Sequence, residues 1–196
     1  PAYRRRLMLS MLTEEPDAYL AQLQAAKLND DVEVAHYAAT AVAQISKESD
    51  LKLQQLERAF KTDPSAQNLN EYCDFLGEYL CSGLAEGRVA QIQRQQYARL
   101  LARRCEREDT LELRIRYATA LADVGQIDEA QAVTNQLVLD VPEEQEVWML
   151  CLRLAVMCRD GDEVHRVIDA IDKQHVYLSA DNREKLAFWR DGEEVR

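Results

Sequence analysis

The chain has 196 residues, 47% apolar and 30% charged, with only six glycines and four prolines. That length accommodates one domain or about five helical hairpins, and so few turn-formers exclude a turn-rich sheet fold or a disordered tail. A net charge of −11 excludes a nucleic-acid binder, because phosphate contacts need a basic surface. No apolar run approaches the roughly 18 residues needed to span a bilayer. The five cysteines, Cys73, Cys81, Cys105, Cys151 and Cys158, are odd in number and form no CxxC pair. They sit among apolar neighbours in helical patterns, which fits a reducing cytosol better than a disulfide framework.

In chain order, the start at Pro1 reads as part of a longer protein. Arg4, Arg5 and Arg6 suit the cytosolic flank of a preceding membrane helix. They serve equally well as the basic first turn of a surface helix. A leading hairpin is expected over 1–32, from Leu7–Leu12 and Ala18–Leu28, with Thr13, Glu14, Glu15 and Pro16 opening its second helix. A second is expected over 33–66. Tyr37, Ala39, Ala43 and Ile45 fall in its first helix, Leu56, Ala59 and Phe60 in its second, and Pro64 at its end. Asp30 with Glu33 has the spacing of a capping box at its start.

Pro64 and Pro142 stand 78 residues apart, ten more than two 34-residue units. The excess is assigned to an extended unit over 67–110. Its first helix carries Tyr72, Phe75, Leu76 and Tyr79, Gly83 and Gly87 bracket a turn, and a long helix runs from Val89 to Arg107. A hairpin over 111–144 follows, opened by Asp109 with Glu112 and marked by Gly125, Ala130 and Pro142. Another over 145–178 carries Trp148, Leu152, Ala155, Val164 and Ile171. The stretch 179–191, with Leu186, Phe188 and Trp189, supplies one helix that caps the last repeat, and EEVR trails behind it.

Chemistry is hard to find in this pattern. His36, His165 and His175 have no partner at zinc-motif spacing, and His36 reads as a packed histidine. Asp160–Glu163 opens like a calcium loop but lacks the later Gly and closing Glu, so a turn between helices accounts for it. No phosphate-loop, nucleophile-elbow or HExxH motif occurs. Glu14–Glu15 and Glu143–Glu144 are explained by helix starts. The expectation is therefore no enzyme, no cofactor and no metal.

The 34-residue blocks 111–144, with Gly125, Ala130 and Pro142, and 145–178, with Trp148 at its fourth position, resemble the tetratricopeptide (TPR) repeat. The resemblance implies an all-α, right-handed α-solenoid of helical hairpins forming one domain over 1–196, and a scaffold that holds another protein. By the TPR rule, the inner face takes Tyr37, Ala41 and Ile45, then Cys73 and Leu80. Ile115, Thr119 and Ala122 follow, then Met149, Arg153, Val156 and Met157. Such an apolar lining suits an amphipathic helix or hydrophobic peptide, unless a one-residue shift of register makes some of these residues inter-helix core. Tyr37, Ala41 and Cys73 stand where a chaperone-tail clamp would need Lys or Asn.

A second candidate surface is the basic strip Arg88, Arg94, Arg99, Arg103, Arg104 and Arg107. It suits an acidic protein, an anionic headgroup or the acidic half of another copy; the plain alternative is a solvated face. In layout, the arginine start followed by a degenerate repeat array, including DVEVAHYAATAV, resembles the PelE-like family, the membrane-anchored TPR component of bacterial Pel exopolysaccharide machinery. That resemblance implies binding to a membrane cyclic-di-GMP receptor and a cytosolic glycosyltransferase, in the cytoplasm at the inner membrane's cytosolic face. Other readings are a different bacterial TPR adaptor in secretion or envelope assembly, or a helical regulator of a peptide or small ligand. Self-association stays open.

Overall fold

The computed structural model describes residues 20–191. The expected helix at Leu7–Leu12, the arginines at 4–6, the Thr13–Pro16 opening, Ala18 and the EEVR tail lie outside those residues. Among the described residues the fold is all-α, with nine helices and no strand. None of these helices is long and apolar enough to cross a membrane.

The helices are α1 (Leu20–Ala26), α2 (Val32–Thr62), α3 (Ala66–Cys81), α4 (Gly87–Cys105), α5 (Leu111–Asp123), α6 (Ile127–Asp140), α7 (Gln145–Met157), α8 (Gly161–Lys173) and α9 (Ala180–Asp191). The chain divides into two compact units, Pro1–Gln93 and Arg94–Arg196, with the division inside α4.

In unit 1 the expected hairpin over 33–66 is replaced by one continuous helix, α2. No Gly or Pro interrupts residues 32–62, and the buried positions Ala38, Ala41, Ile45, Leu53 and Phe60 keep a helical stripe without a break. Pro64 then stops it, since proline lacks the N–H that a further turn would use. The start also differs by one residue. Asp31, not Asp30, is the cap, and its carboxylate accepts from the N–H groups of Glu33 and Val34. α1 packs on the first half of α2 through Leu20 and Leu23 against Ala38, Ala41 and Ile45. α3 runs along the second half, where Phe60 and Tyr72 rings lie 6.1 Å apart and Lys52 Nζ sits 4.3 Å over the Phe75 ring. Tyr79 Oη donates to Asp50 at 2.7 Å. Burial first, and then that hydrogen bond, push the Tyr79 phenol up to about 12.

Unit 2 is built from short helices. Blocks 111–144 and 145–178 each hold two, α5–α6 and α7–α8, packed against one another, with α6 also against α7 and α5 against α7. Thr110, not Asp109, caps α5, because its hydroxyl reaches the Leu113 N–H at 3.3 Å. Asp160 caps α8 through the Glu163 N–H at 2.9 Å. The ends share one device. Gly125 takes φ 80, and the next residue, Gln126, donates back to Leu121 O at 2.9 Å, the left-handed stop that favours glycine. Thirty-four residues on, Arg159 holds the same stop at φ 56, with Asp160 donating to Ala155 O. The core gathers Ala118, Leu121, Ala130, Leu150 and Leu154 in one cluster, and Trp148, Leu152, Val167, Ile171 and Leu186 in the other. Trp148 also donates its indole N–H to Pro142 O at 2.7 Å.

Candidate partner-binding groove

Residues three and four apart on a helix share a face. In α5 the face Ile115, Thr119 and in α7 the face Met149, Arg153, Val156 are related by 34 residues, Ile115 with Met149 and Thr119 with Arg153. Asn182, Lys185 and Trp189 make a further ladder on α9, outside that 34-residue register. These three ladders line one groove of about 550 Å³, together with Glu146, Leu150 and Leu152 of α7. That volume falls in the range of ligand and peptide clefts.

The floor is apolar and half-buried, from Ile115, Met149 and Val156 over the buried Leu150 and Leu152. Charge is confined to the rim. Arg153 pairs with Asp123 at the end of α5, 2.5 Å away, and Lys185 with Asp181 at 2.5 Å. Gln145 Oε1 accepts from the Ser179 N–H at 2.8 Å and from Asn182 Nδ2 at 3.1 Å, tying the first turn of α7 to that of α9. The groups whose proton affinity moves most, Tyr79 and Cys151, lie off this lining; burial pushes the Cys151 thiol up to about 12. Among the described residues no three His, Cys, Asp or Glu side chains gather as a metal set.

The sequence-selected inner face is thus distributed unevenly. Ile115, Thr119, Met149, Arg153 and Val156 come together in the groove, whereas Met157, 43% exposed, is not part of its lining. Tyr37, Ile45 and Leu80 belong to unit 1. Ile45 is 2% exposed, so it packs in the core against α1 and has no surface to offer a partner. Ala41 and Cys73 are buried likewise, while Tyr37 and Leu80 are half-buried. In unit 1, Ala41 and Ile45 are core positions because α1 lies across them. His36, expected to pack, is exposed, its ring 6.0 Å from that of Tyr37.

Within unit 2 the arginines of α4 fall on more than one helix face. Arg99 and Arg103, one turn apart, are exposed on a common face of α4, but Arg94 and Arg104 stand about 140° from Arg99 on either side. Arg104 is half-buried, and Arg107 lies beyond the last helical residue, Cys105. Arg88, exposed, sits at the start of α4 in unit 1. Another arginine does more local work: Arg116 donates from Nε and a terminal nitrogen to Tyr97 Oη, at 3.1 and 2.9 Å, fastening α5 to α4.

Sequence reasoning missed Glu146 of α7 as a groove residue, and missed Asn182, Lys185 and Trp189 because it assigned 179–191 to a covering role. The signal was available: Asn182, Lys185 and Trp189 fall at i, i+3 and i+7, a single helix face. No protein-family model, curated protein or solved structure matches this chain.

Proposed function

We propose that the protein is a non-catalytic scaffold, a TPR-like α-solenoid in arrangement, whose groove along α5, α7 and α9 takes the apolar face of a helical peptide from a partner protein. The observation that carries this reading is the repeat-related lining. Ile115 with Met149 and Thr119 with Arg153, each pair 34 residues apart on α5 and α7, line one groove with an apolar floor and a charged rim. Repeating units that stack tend to build such extended binding surfaces, and an amphipathic helix recognises a groove through anchors at i, i+3, i+4 and i+7. The floor offers apolar surface for anchors, and Arg153 and Lys185 sit where they can fix orientation.

The narrower role, coupling a membrane cyclic-di-GMP receptor to a glycosyltransferase in Pel exopolysaccharide synthesis, is supported by the resemblance in sequence layout alone. One experiment addresses both levels. The protein is purified from its native host in mild detergent, as wild type and as Met149→Asp, and co-purifying proteins are identified by mass spectrometry. A carboxylate on the groove floor should remove the partner while circular dichroism stays unchanged, because burying an unpaired charge there is costly. A partner retained at full yield by Met149→Asp refutes the groove. A wild-type partner set without a glycosyltransferase and a cyclic-di-GMP receptor refutes the Pel role but not the groove.

A further inference from the structure

The groove's third wall, α9, is held differently from the helices beside it. α7 buries six side chains and α8 four. Of the described side chains on α9, only Leu186 is buried, 3% exposed. Phe188 and Trp189 meet edge to face at 5.2 Å but remain 70% and 37% exposed. Open space borders α9 on two sides. The groove lies against α7, and a second cavity of about 520 Å³, lined by Ile171, His175, Tyr177 and Arg183 among others, lies toward α8.

The remaining attachments are polar. Gln145 holds the first turn through Ser179 and Asn182, and Arg190 near the other end pairs with Asp172. The Gln145 bonds are half-buried and the Arg190–Asp172 pair is exposed, and bonds of this kind contribute little each. The connector between α8 and α9 also carries strain. His175 holds φ 52, a left-handed conformation that a residue with a Cβ adopts at a cost.

We propose that α9 is a hinged wall of the groove, opening as one body about the 174–179 connector while α5 to α8 stay folded. Local opening draws on the elements with the fewest buried apolar contacts; here Leu186 and a polar latch hold α9, while Leu178 and Val176 anchor the hinge itself in the core. Opening widens the groove for entry. Closing brings Lys185 and Trp189 onto whatever occupies it. The use of this motion in partner binding rests on the groove reading; the motion itself does not.

Native-state hydrogen exchange on the full chain, in low concentrations of denaturant, tests it. The expected result is one shared opening equilibrium for the amides from Leu186 to Arg190, about a hundredfold larger than that of Leu150 to Val156, and dependent on denaturant because apolar surface is exposed. Leu186→Ala should raise exchange of α9 at least about tenfold, with α9 still about a hundredfold less protected than α7. Gln145→Ala should act in the same direction without touching the core. Protection that declines residue by residue toward 191 would mean simple end fraying and overturns the hinge. Protection equal to that of α7, changing with it in both variants, overturns it as well. A fixed α9 alongside partner loss in Met149→Asp would sink the hinge and spare the groove; the reverse pair of results would do the opposite.

Discussion

Residues 32–62 and residues 111–140 are almost equal in length, and each carries a helical apolar stripe, yet the first is one helix and the second is two. In the second, Gly125 occupies the fifteenth position of its repeat and turns the chain at φ 80. Counted from Glu33, Lys47 holds that position in the first, and the helix continues through it. Glycine is not the whole explanation, because Arg159 makes the same turn 34 residues after Gly125. The stripe decides the rest. From Ala38 through Ile45 and Leu53 to Phe60 the buried positions never lose phase, so breaking α2 would expose surface that α1 and α3 already cover. A reversal needs both a residue that tolerates the left-handed region and a stripe that ends there.

The largest test of this contrast uses one core leucine from each unit. Leu69 in α3 and Leu137 in α6 are both fully buried, and alanine at either should cost about 2–5 kcal/mol. Both tryptophans, Trp148 and Trp189, lie in unit 2, so fluorescence reports that unit while circular dichroism reports both. In urea, Leu69→Ala should shift the dichroism transition ahead of the fluorescence one, and Leu137→Ala should shift fluorescence first. Coincident transitions in both variants would merge the units into one cooperative block.

The turn itself gives a smaller, two-sided effect. A Cβ on Gly125 would meet nothing within 4 Å, so Gly125→Ala isolates the backbone cost, about 1–2 kcal/mol of destabilisation. Arg159→Gly removes that cost and should stabilise by up to about 1 kcal/mol. Equal and negligible shifts in the urea midpoint would remove the turn from the explanation.

Smallest is the polar tie in unit 1. Tyr79→Phe deletes the bond to Asp50 and should cost about 1 kcal/mol at neutral pH. Because the folded phenol is pushed up to about 12, its contribution is complete below the ordinary tyrosine value near 10 and disappears as pH climbs through the folded one. An absorbance titration at alkaline pH should show a late-ionising tyrosine that Tyr79→Phe abolishes. An unchanged late phase would assign it elsewhere.

These contrasts also mark what could be read from the chain. Over 111–178 the glycine, the proline and the tryptophan fall where turns and core require them, so the helices and the groove positions Ile115, Met149 and Arg153 were legible. In unit 1 Pro64 located the end of α2, but nothing in the residues flags the missing turn near Lys47 except a stripe that fails to break. Ile45 was misread for the same reason, since its exposure depends on α1 lying across it. The caps shifted by one residue, to Asp31 and Thr110, because neighbouring side chains at each start could all accept the same N–H groups. Trp189 was legible as apolar, but which wall it joins depends on where a solitary helix docks.

At 1.5 Å per residue, the 31 residues of α2 measure roughly 46 Å, more than twice a 13-residue helix of unit 2. Its two ends do separate jobs, one gripped by α1 and the other by α3. Between them, Ser46–Ser49 joins the two grips, ahead of Asp50, which Tyr79 of α3 holds. Seven residues added there would extend it by two turns with the grips nearly in line, whereas a single added residue would swing one grip about 100° around the shaft. Evolution could therefore lengthen this part of the molecule only in whole-turn strides.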